Sequence, residues 1–283
     1  MRDFLAITGP TTSGKTQLSI AVAEALDGEI ICMDSRQVYR GMDIGTDKVS
    51  PEHRHRVPHH GLDLRNPDEF YSAGQFGRDA HCYIEEISGR GRVPLLVGGT
   101  GLFLRSLTHP IFKQPDIDAA RLQALRGFMA KRPRAELERW VGALDSGRAE
   151  FAQEGGPQRL GRTIEVALFT GRSLSWWYSQ GTSDREPLNG LIVVLDKDRE
   201  ELDRCIDARV TRMAAEGLVD EVNGLLEKGY GPKAPGMTGT GYREVAAYLG
   251  GDMTLDEALD RMRSQTRQYA RRQLTWFRNQ LPE

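Results

Sequence analysis

Cysteine is scarce: Cys32, Cys82 and Cys205 are the only three in 283 residues, and no two form a C-x-x-C pair. That argues against a zinc site and a disulfide framework, and all three are expected to be buried thiols. Long apolar runs are missing as well. No stretch approaches the roughly 18 residues of a membrane helix, and the first residues lack a basic segment followed by a long apolar one. A cytoplasmic protein without membrane contact is therefore expected; a monomer is the expected state, although no sequence feature fixes it. Strong net charge is also absent, since 38 Lys and Arg against 40 Asp and Glu leave a formal −2. Globally, nothing points to a nucleic-acid partner. Acid is nonetheless missing locally: from Arg261 to Asn279 the chain reads "RMRSQTRQYARRQLTWFRN", with Arg261, Arg263, Arg267, Arg271, Arg272 and Arg278 and no Asp or Glu.

What is present has the order of an α/β protein. Strand-like runs "DFLAIT", "GEIICM" and "RVPLLVGG" alternate with helical patterns, which predicts a parallel sheet flanked by helices, of the P-loop NTPase-like kind. In the first helix Leu18, Ala21, Val22 and Ala25 recur at helical spacing, and in a later one Phe76, Ala80, Tyr83, Ile84 and Ile87 do. Both faces are expected to pack on the sheet. After "HPIFKQPD" the chain becomes rich in Arg, Glu and Ala with no convincing strand, which reads as a helical insertion. "GLIVVLD" then reads as another buried strand, followed by helices. The expected division is a core in two parts, 1–114 and 188–283, with an insertion domain at 115–187.

The chemistry is concentrated at strand ends. "GPTTSGKT", Gly9 to Thr16, has the form G-x-x-x-x-G-K-[ST] between a strand and a helix. Small residues there, among them Gly9, Thr11, Thr12, Ser13 and Gly14, let backbone N–H groups face phosphate oxygens. Lys15 adds a point charge, and Thr16 can ligate Mg²⁺. The motif names a diphosphate or triphosphate without naming what carries it, so ATP fits as well. Asp34 and Ser35 follow the second strand, at the edge where open α/β sheets bind ligands, although Asp34 could equally serve a turn. "LLVGGTGLF" repeats that logic, with Gly98, Gly99 and Gly101 permitting close approach and Thr100 offering a hydroxyl. His59 and His60 are adjacent and lack a third metal ligand nearby, which favours a structural or substrate-shaping role. Trp176 and Trp177 could stack on bases, but packing within the insertion is the better reading. In the last helix Arg267, Arg271 and Arg278 fall on one side, with Tyr269, Gln273 and Trp276 on another. The lack of balancing acid favours phosphate binding over a solvated face.

"GPTTSGKT", "DSRQVYRGMDIGT", "PHHGLDLRNPDEFYSAGQF", "GGTGLF", "PQRLGRTIEV", "GYREV" and "TRQYARRQLTWFR", in this order, resemble the tRNA dimethylallyltransferases, also called tRNA isopentenyltransferases. The resemblance covers nearly the whole chain. It implies transfer of a dimethylallyl group from dimethylallyl diphosphate to N6 of the adenosine just 3′ of the anticodon, with Mg²⁺ as cofactor and the tRNA anticodon stem-loop as partner. Under it, Thr11 to Thr16 hold the diphosphate and its Mg²⁺, Asp34 takes the N6 proton, Thr100 contacts the adenosine side, and Arg209 in "CIDARV" clamps the pyrophosphate. It further implies tRNA contacts from Asp34, Ser35, Arg36 and Gln37; from Gln158, Arg159 and Arg162; from Thr238 to Arg243, including Gly241 and Tyr242; and from Thr266 to Gln273, including Arg267, Gln268, Arg271 and Arg272. Gly156 departs from the family pattern, in which an acidic or amide residue is commoner there. The chain ends at Glu283 without a zinc-finger extension, from which a bacterial-type enzyme is expected.

Three rivals stay open on the sequence. A small-molecule P-loop kinase also places an Asp after the second strand but leaves the arginine helix unexplained. An adenylate isopentenyltransferase performs the same chemistry on a free nucleotide, against which the insertion and the "TRQYARRQLTW" helix argue. A nucleotide-gated RNA-binding module leaves Asp34 and Arg209 without roles.

Overall fold

In the computed structural model, which describes residues 3–109, 117–180 and 186–281, the first apolar run forms strand β1, Phe4–Thr8. Then come α1 (Lys15–Ala25), β2 (Gly28–Cys32), α2 (Pro51–Arg56), β3 (His59–His60), α3 (Ala73–Gly89), β4 (Val93–Gly98) and α4 (Gly101–Thr108). Five helices follow: α5 (Ala119–Met129), α6 (Arg134–Leu144), α7 (Ala149–Glu154), α8 (Pro157–Thr170) and α9 (Leu174–Ser179). The chain then forms β5 (Gly190–Val194), α10 (Arg199–Ala215), α11 (Leu218–Glu227), α12 (Tyr242–Leu249) and α13 (Leu255–Gln280).

The five strands form one parallel sheet in the order β3-β2-β4-β1-β5. Alternate residues of the inner strands feed two cores. Ile7, Ile30, Cys32 and Leu95 meet Ile20 and Ala23 of α1 on one face. Phe4, Ala6, Ile31, Met33 and Leu96 meet Phe76, Ala80, Ile84 and Ile87 of α3 and Phe103, Leu104 and Leu107 of α4 on the other. Strands covered on both sides read as continuous apolar runs, and each fully buried Leu, Ile or Phe contributes about 1.5–3 kcal/mol. A third core joins α10, α11, α12 and α13 to Val38, Tyr39 and Met42.

The strand order places the ligand edge. From β1 the chain crosses over to β2 on one side, and from β4 it returns to β5 on the other, although β1 and β4 are neighbours. Their carboxyl ends therefore flank a switch point, where the outgoing connections part and leave a crevice. The loops beginning at Gly9 and Gly98 lie at that point.

Three expectations need correction, and one strand went unread. The buried side of α1 is Ser19, Ile20 and Ala23, whereas Leu18, Ala21 and Ala25 face outward; the helix is apolar almost all round, so periodicity could not select its inner face. Strand β5 is not buried: it pairs with β1 on one side only, and Leu191, Val193 and Val194 are 39–45% exposed. Strand β3, too short for a periodic signal, extends the sheet beyond β2 through His59 and His60. Of the cysteines Cys32 is buried, Cys205 is partly exposed and Cys82, on the outward side of α3, is exposed.

Contacts divide the chain into two units, Met1–His109 with Leu188–Glu283, and Pro110–Pro187. The expected boundary at 114/115 lies outside the described residues. The second unit is helical, with its own core of Met129, Leu137, Val141, Ala152, Leu160 and Ile164. Its buried Glu165 accepts from Arg126 Nε at 2.6 Å. Trp177 packs beside Val166 and Leu174 and donates its indole N–H to Thr170 Oγ1, whereas Trp176 lies under Arg172 at 37% exposure. Among the described residues no helix is long and apolar enough to cross a membrane.

Candidate active site

The loop after β1 is held in a conformation the chain would not adopt unaided. Thr12 has φ +63°, in the left-handed region that non-glycine residues rarely enter. Gly14, also left-handed, caps α1, so the backbone N–H groups of the first turn are free of side-chain caps. Such a helix start is an anion site, through its unsatisfied donors and the dipole. The Lys15 ammonium reaches back to the carbonyls of Gly9 (3.1 Å) and Pro10 (2.5 Å). Burial lowers its pKa from 10.5 to about 8, with the Asp34 carboxylate opposing and Arg209 reinforcing that shift.

Arg209 comes from α10, far along the chain. Its Nη1 donates to Thr11 Oγ1 at 2.8 Å, its Nη2 to the Thr46 carbonyl at 3.3 Å, and it pairs with Asp47 at 3.4 Å. Asp34 follows β2, and its Oδ1 accepts from the backbone N–H of Arg36 (2.7 Å) and Gln37 (3.4 Å). The turn role is thus present, while Oδ2 enters no hydrogen bond among the described residues. Thr100, at the start of α4, accepts from the Ser35 N–H at 3.2 Å and lies near the Tyr269 hydroxyl. Burial, then the Asp34 charge, pushes that phenol up to about 12.

Lys15, Thr11 to Thr16, Asp34, Gln37, Arg209 and Gln273 all line one cleft of about 630 Å³, with Asp47, His59, Lys197, Arg212 and Tyr269 completing its wall. Cationic and N–H groups meet a carboxylate in it, Asp34 lying close enough to act on the charges of both Lys15 and Arg209. Among the described residues no cluster of three or more His, Cys, Asp or Glu could cage a metal. His60 is used structurally, bonded to buried Glu29 at 2.6 Å, while His59 bonds the Val57 carbonyl and its pKa is lowered by burial.

Several residues expected to meet RNA are engaged within the protein. Arg36 donates to the carbonyl of Pro235 at 2.8 Å and reaches Thr238 Oγ1, and Gln37 donates to the Thr46 and Asp47 carbonyls. Tyr242 is 1% exposed and donates to Glu221 Oε1 at 2.5 Å, so its side chain belongs to the core. Gly241, at φ +97°, turns the chain into α12, and Arg243 is held by the buried Glu244. Gln273 is buried between two loops. In the other unit Gln158 is exposed, Arg159 stacks over Phe151 at 4.2 Å, and Arg162 lies 3.8 Å from Glu165. Gly156 has φ +76° and ψ −171°, a region that is essentially glycine's alone.

The arginine stripe of α13 is balanced after all, by aspartates of α10 and of the segment that leads into it. Arg267 bonds Asp207 and lies near Asp203, Arg271 pairs with Asp203 at 3.5 Å, and Arg278 reaches Asp196 at 3.7 Å. A count within one segment misses such acid. Arg272 and Gln268 are exposed; Arg272 lies over the Tyr269 ring at 6.0 Å.

Sequence reasoning passed over Arg212, Asp47, Lys197 and Glu221. Arg212 stands one turn beyond Arg209 and bonds Asp47 at 2.6 Å, so helical spacing alone could have found it. Lys197 follows the end of β5, the same positional signal that marked Asp34. Glu221 accepts from the N–H groups of Asp43, Ile44 and Gly45 and so shapes the turn presenting Thr46 and Asp47; nothing local announces that.

The profile of the IPP transferase family matches residues 37–280. The tRNA dimethylallyltransferase of Geobacter sulfurreducens is 43% identical over 275 residues, 97% of this chain and 88% of its own length. That of Geobacillus kaustophilus is 41% identical over 277 residues, 98% and 87% of the two chains. Among solved structures, the full-length tRNA isopentenylpyrophosphate transferase of Bacillus halodurans is similar with a TM-score of 0.71 at 37% identity, covering 99% of this chain and 88% of that one. A eukaryotic dimethylallyltransferase acting on tRNA reaches a TM-score of 0.81 at 27% identity, over 98% of this chain and 70% of that one. With its residues 37–280 matched and these identities running over nearly its whole length, the chain belongs to the IPP transferase family, that of the tRNA dimethylallyltransferases.

Proposed function

We propose that this cleft holds dimethylallyl diphosphate on the 9–16 loop and transfers its dimethylallyl group to N6 of the adenosine 3′ of the anticodon in tRNA. The arrangement that carries the reading is the meeting in one cleft of Lys15, Arg209 and the helix start with the Asp34 carboxylate, next to which Thr100 accepts the Ser35 N–H. An adenine amino group is a poor nucleophile because its lone pair is delocalised into the ring. The allylic carbon must therefore acquire cation character as its bond to the diphosphate oxygen breaks. The N6–C1 bond forms, diphosphate departs with the bonding pair, and Asp34 accepts the N6 proton. Charge on the leaving diphosphate is met by Arg209, Lys15 and the loop N–H groups, fixed before the reaction begins.

Mg²⁺ suits this donor set. The hydroxyl of Thr16 is an exposed hard ligand at the start of α1, and Mg²⁺ commonly takes one or two protein oxygens with the rest from water and substrate phosphate. Bound there, it would neutralise charge on the diphosphate. Arg272, exposed on α13, and Arg159, exposed in the helical unit although stacked on Phe151, are side chains suited to an RNA backbone.

The test is to incubate the protein with unmodified tRNA, Mg²⁺ and dimethylallyl diphosphate, without ATP, and to examine the nucleosides by mass spectrometry. A dimethylallyl adduct on adenosine is expected. An absolute requirement for ATP would sink the reading.

A further inference from the structure

We propose that Gln273 is a positioning residue for the transfer, bridging the phosphate loop to the loop that carries Thr100, and is not a tRNA contact. The inference rests on the reading of the cleft just given.

Gln273 lies on α13, 7% exposed, with both ends of its amide used. Oε1 accepts the backbone N–H of Thr11 at 2.9 Å, and Nε2 donates to the carbonyl of Gly99 at 2.8 Å. The orientation of the amide follows from its partners, because a backbone N–H can only donate and a carbonyl can only accept. Both ends of the amide are thus held by backbone, and at 7% exposure little of the side chain is open to an RNA. The approach is also close: a Cβ on residue 99 would lie 2.1 Å from Nε2, so the bridge requires glycine there.

Each end of the bridge leads to one half of the chemistry. Thr11 is held through its N–H by Gln273 and through its hydroxyl by Arg209, and the strained Thr12 follows it. The phosphate loop is thus clamped just where it departs from ordinary backbone geometry. Gly99 precedes Thr100, whose hydroxyl accepts the N–H of Ser35, next to Asp34. One planar amide therefore ties the diphosphate loop to the loop of Gly99 and Thr100 just beyond the paired ends of β1 and β4. A migrating allylic carbon must lie in line between the diphosphate oxygen and N6, and a misplacement of about 1 Å can lose roughly 10²-fold in rate. Arg272, the neighbouring residue, faces outward on the same helix, so the helix offered to RNA is also the one that fixes the loops.

Neither glutamate nor leucine meets the requirement. Glutamate keeps the acceptor for Thr11 but sets a carboxylate oxygen against the Gly99 carbonyl, and leucine strands both backbone groups.

The experiment compares wild type, Gln273→Leu and Gln273→Glu in single-turnover transfer from dimethylallyl diphosphate to unmodified tRNA with Mg²⁺. Mg²⁺-pyrophosphate and tRNA binding are measured separately, and rates are normalised to the active fraction. For Gln273→Leu the saturating rate should fall about 10²-fold, with the tRNA dissociation constant within about threefold of wild type. Gln273→Glu should also be slow at saturation; being isosteric, it carries the test alone if the leucine variant does not fold. Variants that transfer at the wild-type rate per active molecule, whether binding tRNA normally or weakly, would overturn the bridge while leaving the reading of the cleft intact. A wild-type protein that binds no pyrophosphate and transfers nothing would overturn both.

Discussion

Arg209 donates from Nη1 to Oγ1 of Thr11 at 2.8 Å, joining helix α10 to the loop after β1 across 198 positions of sequence. Burial lowers the pKa of this guanidinium, the neighbouring Asp47 and Asp34 carboxylates opposing the shift. A buried cation aimed at a loop of backbone donors is poised for an anion larger than a single hydroxyl.

Replacing Arg209 by Ala should slow transfer by about 10² to 10³, the usual consequence of removing a donor that stabilises leaving charge. The check is single-turnover rate at saturating donor and tRNA. Loss confined to tRNA affinity would contradict the clamp.

Arg272 and Arg267 should behave differently although both stand in the basic helix. Arg272→Ala should weaken tRNA binding and flatten the log–log salt dependence by about 0.7 to 0.9, one phosphate contact's worth. Arg267, already bonded to Asp207, should leave that slope unchanged on replacement by Ala and lower stability by at most about 1 kcal/mol. Salt titrations of both variants decide it.

Donor binding should depend on pH through Lys15. Its pKa in the free protein is about 8, and a bound diphosphate favours the charged form, raising it. Affinity for Mg²⁺-pyrophosphate should therefore be full below that value and weaken as pH rises above it. Calorimetry across this range, with Lys15→Arg as a control lacking the break, checks the sign.

At the opposite edge of the sheet, Glu29 predicts acid sensitivity. Burial alone would raise its pKa, but hydrogen bonds from Arg90, His60 and Arg92 outweigh it and hold the carboxyl down to about 2, from 4.5. A carboxyl depressed on folding stabilises the protein above its unfolded pKa and ceases to do so as pH falls through its folded one. Stability on the order of 3 kcal/mol should thus be lost between about pH 5 and 2. Glu29→Gln should be less stable at neutral pH and lose less on acidification, as read by denaturant melts at several pH values.

How much of this was legible depended on whether a signal was local. The strands, the 9–16 loop and Asp34 stand in contiguous motifs, and α3 carries a strong apolar stripe, so these could be read directly. The inner face of α1 could not, because small apolar residues surround that helix. The exposure of β5 is a matter of its place at the sheet edge, which sequence order does not state. The aspartates that balance Arg267 and Arg271 lie on α10, some sixty residues away, and the bridge made by Gln273 depends on where α13 packs. Long-range pairing hid the roles of side chains whose identities were plain.

The central claim is that the cleft moves a dimethylallyl group onto an adenine amino nitrogen whose proton passes to Asp34. Its most direct measurement is single-turnover transfer to tRNA by wild type and by Asp34→Asn, followed by mass spectrometry of the nucleosides, with a thermal melt of each protein. Asparagine retains an oxygen for the turn N–H groups of Arg36 and Gln37, so the fold should persist. It cannot take the proton at neutral pH, and the rate should fall by about 10² to 10⁴, roughly 3 to 5 kcal/mol in barrier. Near-wild-type transfer by a folded Asn variant, or no adenosine adduct from the wild-type protein, would contradict the account.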